Sequence, residues 1–146
     1  MICDLASARA AAEAGNLEGW VHRYLTGPGQ NAAFSEGLTR EERFWRGPLL
    51  IGLGKLKRTC GPEPEMPYRE PADRWDARVA ALRAESGGVE HYPPLLVQYE
   101  SGRLLIRDGN HRYAALEALR VEWCWIILWY ANAAEFRHHE VRGFRV

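Results

Sequence analysis

A chain of 146 residues with 47% hydrophobic and 26% charged side chains has the size and composition of one ordinary globular domain. Nineteen basic residues balance nineteen acidic ones, which argues against coating nucleic acid or anionic lipid by bulk charge. Cys3, Cys60 and Cys124 lack Cys-x-x-Cys spacing, and the longest apolar run, residues 123–130, is too short to cross a bilayer, so the composition reads as a cytoplasmic protein without a disulfide framework or zinc knuckle.

Residues 4–14 are Ala-rich, with Asp4 as N-cap and Gly15 as stop, and predict a first helix. Asn16 opens a second, in which Leu17, Trp20, Val21, Tyr24 and Leu25 recur at the 3.6-residue period. Residues 27–31 form a loop rich in Gly. Thr39 and Glu42 have capping-box spacing and predict a short helix through Phe44 and Trp45, ended by Gly47-Pro48. Residues 49–51 open a strand that continues through Gly52 and Gly54 to Lys57, and three prolines then stiffen the loop 61–67. Trp75, Val79 and Leu82 at i, i+4 and i+7 predict an amphipathic helix over 72–86, stopped by Gly87-Gly88. Residues 95–99 and 103–107 flank Glu100-Ser101-Gly102 as a hairpin. A helix over 110–119, an apolar strand over 121–130 covered on both faces, and a helix opened by Asn132 and Glu135 complete the order. Trp123, Trp125 and Trp129 share one face of that strand and read as core.

The most specific stretch is Arg107-Asp108-Gly109-Asn110-His111-Arg112-Tyr113-Ala114-Ala115-Leu116, where a strand turns directly into a helix. Gly109 permits the turn and Asn110 suits an N-cap; the amides that follow have no partner inside the helix and, with the helix dipole, suit an anion. His111 and Arg112 place cations at the positive helix end, which is unfavourable unless an anion is bound. Arg112 can fork a phosphate or carboxylate, His111 can donate a hydrogen bond or move a proton, and Asp108 can act as a base, a metal ligand or an orienting partner of His111. The plain alternative is that Asp108 pairs with Arg112 and locks the turn.

This motif and its strand-turn-helix setting resemble the ParB/sulfiredoxin superfamily over residues 94–129, with residues 49–86 fitting the strand and helix that precede it there. The resemblance implies an α/β (α+β) fold, a small mixed sheet with flanking helices over residues 47–146, and residues 1–46 then form a helical extension packed on it. It also implies nucleotide binding, with phosphates on Gly109, Asn110, His111 and Arg112. Sulfiredoxins carry a reactive cysteine where this chain has Asn110, and the partition proteins carry Gly-Glu-Arg-Arg where it has Gly-Asn-His-Arg. The Asp-Gly-x-His-Arg form is closest to the free amino acid kinases of the superfamily. The expectation is therefore a phosphotransferase that uses ATP or another nucleotide, with magnesium, on a small polar metabolite; the competing expectation is a non-catalytic nucleotide sensor.

Lys55 and Lys57, the only lysines, would share one strand face and meet phosphate, or else are exposed edge lysines. Glu63 and Glu65 on the proline-rich loop could supply a base or metal ligand, or merely solvate that loop. Met66 and Tyr68 could wall a base or substrate. His138 and His139 are adjacent, which does not make a chelating pair. Residues 1–38 carry Arg9 and Arg23 against Asp4, Glu13, Glu18 and Glu36, so the N-terminal helices are expected to close the site, with residues 27–31 reaching over a ligand, rather than to contact nucleic acid.

Overall fold

The computed structural model describes residues 2–85 and 92–146. Its centre is a four-stranded mixed sheet in the order β1-β6-β4-β5. The strands are β1 (Phe44–Gly52), β4 (Leu95–Glu100), β5 (Arg103–Asp108) and β6 (Trp123–Tyr130). β1 runs antiparallel to β6, β6 parallel to β4, and β4 antiparallel to β5. A separate pair, β2 (Cys60–Gly61) and β3 (Tyr68–Arg69), is parallel and folds the proline-rich loop back on itself.

Alternation along the central strands sends side chains to two cores. On one face Leu96, Ile127 and Trp129 meet α1 (Leu5–Glu13), α2 (Leu17–Thr26) and α3 (Ala32–Leu38), through Ala8, Trp20, Val21, Leu25 and Leu38. On the other, Val97, Tyr99, Ile106, Ile126, Leu128 and Tyr130 meet Tyr113 and Leu116 of α5 (Asn110–Ala118), with Phe136 of α6 (Ala133–Val141) alongside. α4 (Ala72–Ala84) lies against α5 and buries Trp75. The chain is thus mixed α and β, as the sequence implies. The N-terminal helices share a core with the sheet, and β1 begins at Phe44, before the boundary expected at residue 46. Among the described residues no helix is long and apolar enough to cross a membrane.

Several local expectations change. Phe44 and Trp45 are strand, paired with Tyr130 and Trp129. Thr39 ends α3, its hydroxyl donating to Glu36 O at 2.6 Å, and Asn31 caps α3 by accepting from Phe34 N at 3.3 Å. A capping box contributes about 1 kcal/mol. Ring pairs such as Phe44–Phe136 and Trp45–Trp129 add about 0.5–1.5 kcal/mol each beyond the burial itself, so the sheet wins. The first strand stops at Gly52, and Leu53–Lys55 form a 3-10 turn, so Lys55 and Lys57 do not share a strand face. Trp123 opposes Gly52 at the sheet margin and is 55% exposed, whereas Trp125 is half-buried beneath Arg9 and Trp129 is core. α4 ends at Ala84; Ser86 and the Gly87-Gly88 stop lie outside the described residues.

Candidate functional site

β5 delivers Asp108 to the sheet margin, and Gly109 turns the chain into α5 with φ +105°. A Cβ at Gly109 would stand 2.5 Å from Leu95 Cδ2 and 2.9 Å from Arg112 Nη2, so glycine is required for space as well as conformation. Gly109, not Asn110, is the N-cap, and among the described residues no side chain caps the helix. The amides of Asn110, His111 and Arg112 have no acceptor among the described residues; Tyr113 N is the first to find one, on Gly109 O at 2.9 Å.

Asn110 has a structural task instead. Its Oδ1 accepts from Thr59 N at 2.9 Å and Cys60 N at 3.3 Å, and its Nδ2 donates to Ile106 O at 3.2 Å. This buried amide ties residues 59–60 to the β5–α5 turn. Thr59 reinforces the tie through its hydroxyl, which donates to Ile106 O at 2.6 Å.

Arg112 turns inward. It is 7% exposed, donates from Nη2 to Asp108 Oδ2 at 3.0 Å and from Nη1 to the Pro93 carbonyl, and lies over the Tyr24 ring. Burial pushes the Tyr24 phenol above its ordinary pKa. The phosphate role expected of Arg112 is therefore corrected: the guanidinium locks the turn beneath α2. Asp108 is constrained in the same way, since its Oδ1 accepts from Asn31 Nδ2 at 3.3 Å. Each oxygen thus has one partner, which fixes the carboxylate in place at the edge of the turn.

A cleft of about 720 Å³ opens beside this turn, within the size range of small-molecule sites. Asn31, Ala33 and Phe34 form one wall, Tyr68 with Thr59 and Cys60 another, Gly109 to His111 the rim, and Gln98, Arg107 and Trp129 the sheet side. From the 27–31 loop, Asn31 lines the cleft. Among the residues expected there, Asp108, Gly109, Asn110 and His111 line the cleft. Lys55 and Lys57 do not: both are exposed, Lys55 donates to the Val146 carbonyl at 2.9 Å, and the Lys57 backbone pairs beside β5. Glu65 is exposed outside the cleft. Glu63 is ion-paired with Arg58, which holds its carboxyl below the usual range, and it too lies outside the lining. Met66 is not part of the wall.

Four contributors, Glu70, Trp75, Gln98 and Arg107, were given no role by sequence reasoning. Glu70 Oε2 lies 2.7 Å from His111 Nε2 and 3.8 Å from Cys60 Sγ, while Trp75 packs on the His111 ring at 4.5 Å. The imidazole is thereby held from two sides. Burial, then Glu70, pushes the Cys60 thiol up, so it is kept protonated rather than made nucleophilic. Arg107 donates from Nε to Gln98 Oε1 at 2.8 Å and has no carboxylate partner among the described residues. Gln98, a polar residue inside the otherwise apolar run Leu-Leu-Val-Gln-Tyr, was the one sequence signal that could have pointed to this pair. Among the described residues, no group of three or more His, Cys, Asp or Glu is arranged to hold a metal ion.

No protein-family model matches the chain, and no curated protein or solved structure is similar to it at a significant level.

Proposed function

We propose that the chain binds a nucleotide in the cleft between α3 and the start of α5, and that it works as a nucleotide-responsive binding protein. The observation that carries this reading is the convergence of the α5 amides with the Arg107 guanidinium, neither of them satisfied by an anionic group among the described residues, on a cleft also lined by Phe34, Tyr68 and Trp129. Donors of that kind suit a phosphate, and the rings suit a base. The resemblance of residues 94–129 to ParB/sulfiredoxin proteins supports it from the sequence side. Binding without turnover is favoured because Asp108 is neutralised by Arg112 and the lysines lie away from the cleft.

One observation favours the second reading, phosphotransfer to a small polar metabolite. His111 spends Nε2 on Glu70, which leaves Nδ1 to take a proton from an acceptor hydroxyl, with the carboxylate fixing the ring. ATP would supply the phosphoryl group in that reaction, and the chain's own part would be to orient the acceptor and receive its proton.

A thermal-shift screen over nucleoside mono-, di- and triphosphates, with and without magnesium, tests the proposal, because a ligand that binds only the folded state raises its stability by mass action. Stabilisation by at least one nucleotide is the expected result, and a flat response across the panel overturns it. Steady release of nucleoside diphosphate with an acceptor present would move the assignment to the phosphotransferase.

A further inference from the structure

We infer that the cleft is built for a nucleotide bearing a single phosphate, with Arg107 as the residue that forks that phosphate. The inference rests on the nucleotide reading above and narrows it.

The charge balance of the lining carries the argument. Its ionisable side chains of Asp, Arg or His type are Arg107, Asp108 and His111. Asp108 is matched by Arg112 at 3.0 Å, and His111 has its Nε2 engaged by Glu70 at 2.7 Å. Arg107 is left as the one unmatched charge among the described lining residues. Its orientation is set in advance: Gln98, 8% exposed, holds Nε at 2.8 Å, so the terminal nitrogens are the donors left for a ligand. A guanidinium held in this way gives a bidentate fork to a phosphate with little ordering cost. The α5 amides supply partial positive charge across the rim.

One guanidinium and one helix end match a phosphomonoester. A triphosphate chain would bring several more negative charges to a cleft that Lys55, Lys57 and Arg112 do not reach. Two rings stand on separate walls of the cleft, Phe34 on one and Tyr68, 64% exposed, on another. Phe34 is braced by the Trp129 ring at 5.8 Å, so this end of the cleft suits a flat ring. The occupant is therefore a nucleoside monophosphate rather than an aliphatic phosphate ester.

Isothermal titration calorimetry on the full chain decides it, using nucleoside monophosphates of the common bases, their nucleosides, their triphosphates with and without magnesium, and inorganic phosphate. At least one monophosphate is expected to bind about tenfold or more tightly than its own nucleoside, its own triphosphate and inorganic phosphate. Arg107→Gln, shown to be folded by circular dichroism, is expected to lose roughly ten- to a hundredfold in monophosphate affinity, the effect of removing a charge-assisted contact, and to keep its affinity for the nucleoside. Should that variant not fold, the monophosphate-to-triphosphate ratio of the unaltered chain decides alone. A tighter triphosphate, equal binding of inorganic phosphate, or unchanged affinity in the folded variant overturns this inference and leaves the nucleotide reading standing. No binding by any nucleotide overturns both.

Discussion

Arg112 Nη2 sits 3.0 Å from Asp108 Oδ2, with the two side chains only 8% and 12% exposed. The pair spans one helical turn across Gly109, and it turns inward the very cation that the motif seemed to offer to a ligand. Breaking a buried pair from one side strands a charge, at a cost of about 3–5 kcal/mol. Arg112→Ala and Asp108→Asn are therefore both expected to lower the melting temperature strongly. The double variant should lose less than the sum of the two. Chemical denaturation of all three, read as a double-mutant cycle, checks this; additive losses would dissolve the lock.

Gly109→Ala is expected to destabilise by about 2 kcal/mol or more. It combines the left-handed backbone cost with an overpacked Cβ against Leu95. Denaturant midpoints at unchanged slope would report it.

Asn110→Ala leaves the amides of Thr59 and Cys60 without their buried acceptor. Each unsatisfied group costs about 1–3 kcal/mol. Faster amide hydrogen exchange at residues 59–60, beyond the change in global stability, is the expected signature.

His139 connects stability to pH. It is fully buried, with Nε2 on Arg145 O at 2.8 Å and Nδ1 on Tyr130 Oη at 2.7 Å. The carbonyl can only accept, so Nε2 carries the proton and Nδ1 accepts from the phenol. Burial holds its pKa below the ordinary 6.5, and Arg46, Arg142 and His138 push the same way. Tyr99 stacks on the ring at 4.1 Å. The unfolded chain therefore binds a proton more readily than the folded one. The contribution is fully present above about pH 6.5 and is lost as pH falls toward the folded value. The melting temperature should drop over that range, and His139→Gln should flatten the drop.

Glu70→Gln tests the support of His111. The amide can still hydrogen-bond the imidazole but removes the charge. Under the phosphotransfer reading it should shift the pH profile of turnover with little change in KM. Under the binding reading it should leave nucleotide affinity nearly unchanged.

Much of the secondary structure was legible because its signals act within a turn or two of chain. Asp4 caps α1 and Asn132 caps α6 through their own N3 amides. Ser101 and Gly102 take the two positive φ angles of a tight hairpin. Gly109 bends β5 into α5 where the motif placed the turn. What misled were local signals overruled from a distance: Thr39 and Glu42 spelled a cap, but the pairing of Phe44 and Trp45 with β6 made strand instead.

The sequence by itself determined the mixed α and β class, the order of most elements and the strand-turn-helix carrying Asp108 to Arg112. Periodicity, caps and glycines express short-range sterics and hydrogen bonding, which one chain segment contains in full. Only the tertiary structure decided which side chains of that motif face the cleft. It buried Arg112 against Asp108 under Tyr24, sent Lys55 and Lys57 away from the cleft, and brought Glu70 to His111 across 41 residues of chain. It also set Arg107 on Gln98, beside Trp129 in the sheet register. The Asp108–Arg112 pair lies within one helical turn and was open to the sequence as an alternative; the other partners are chosen by which faces the sheet brings together, and nothing within a helical turn of each residue encodes that choice.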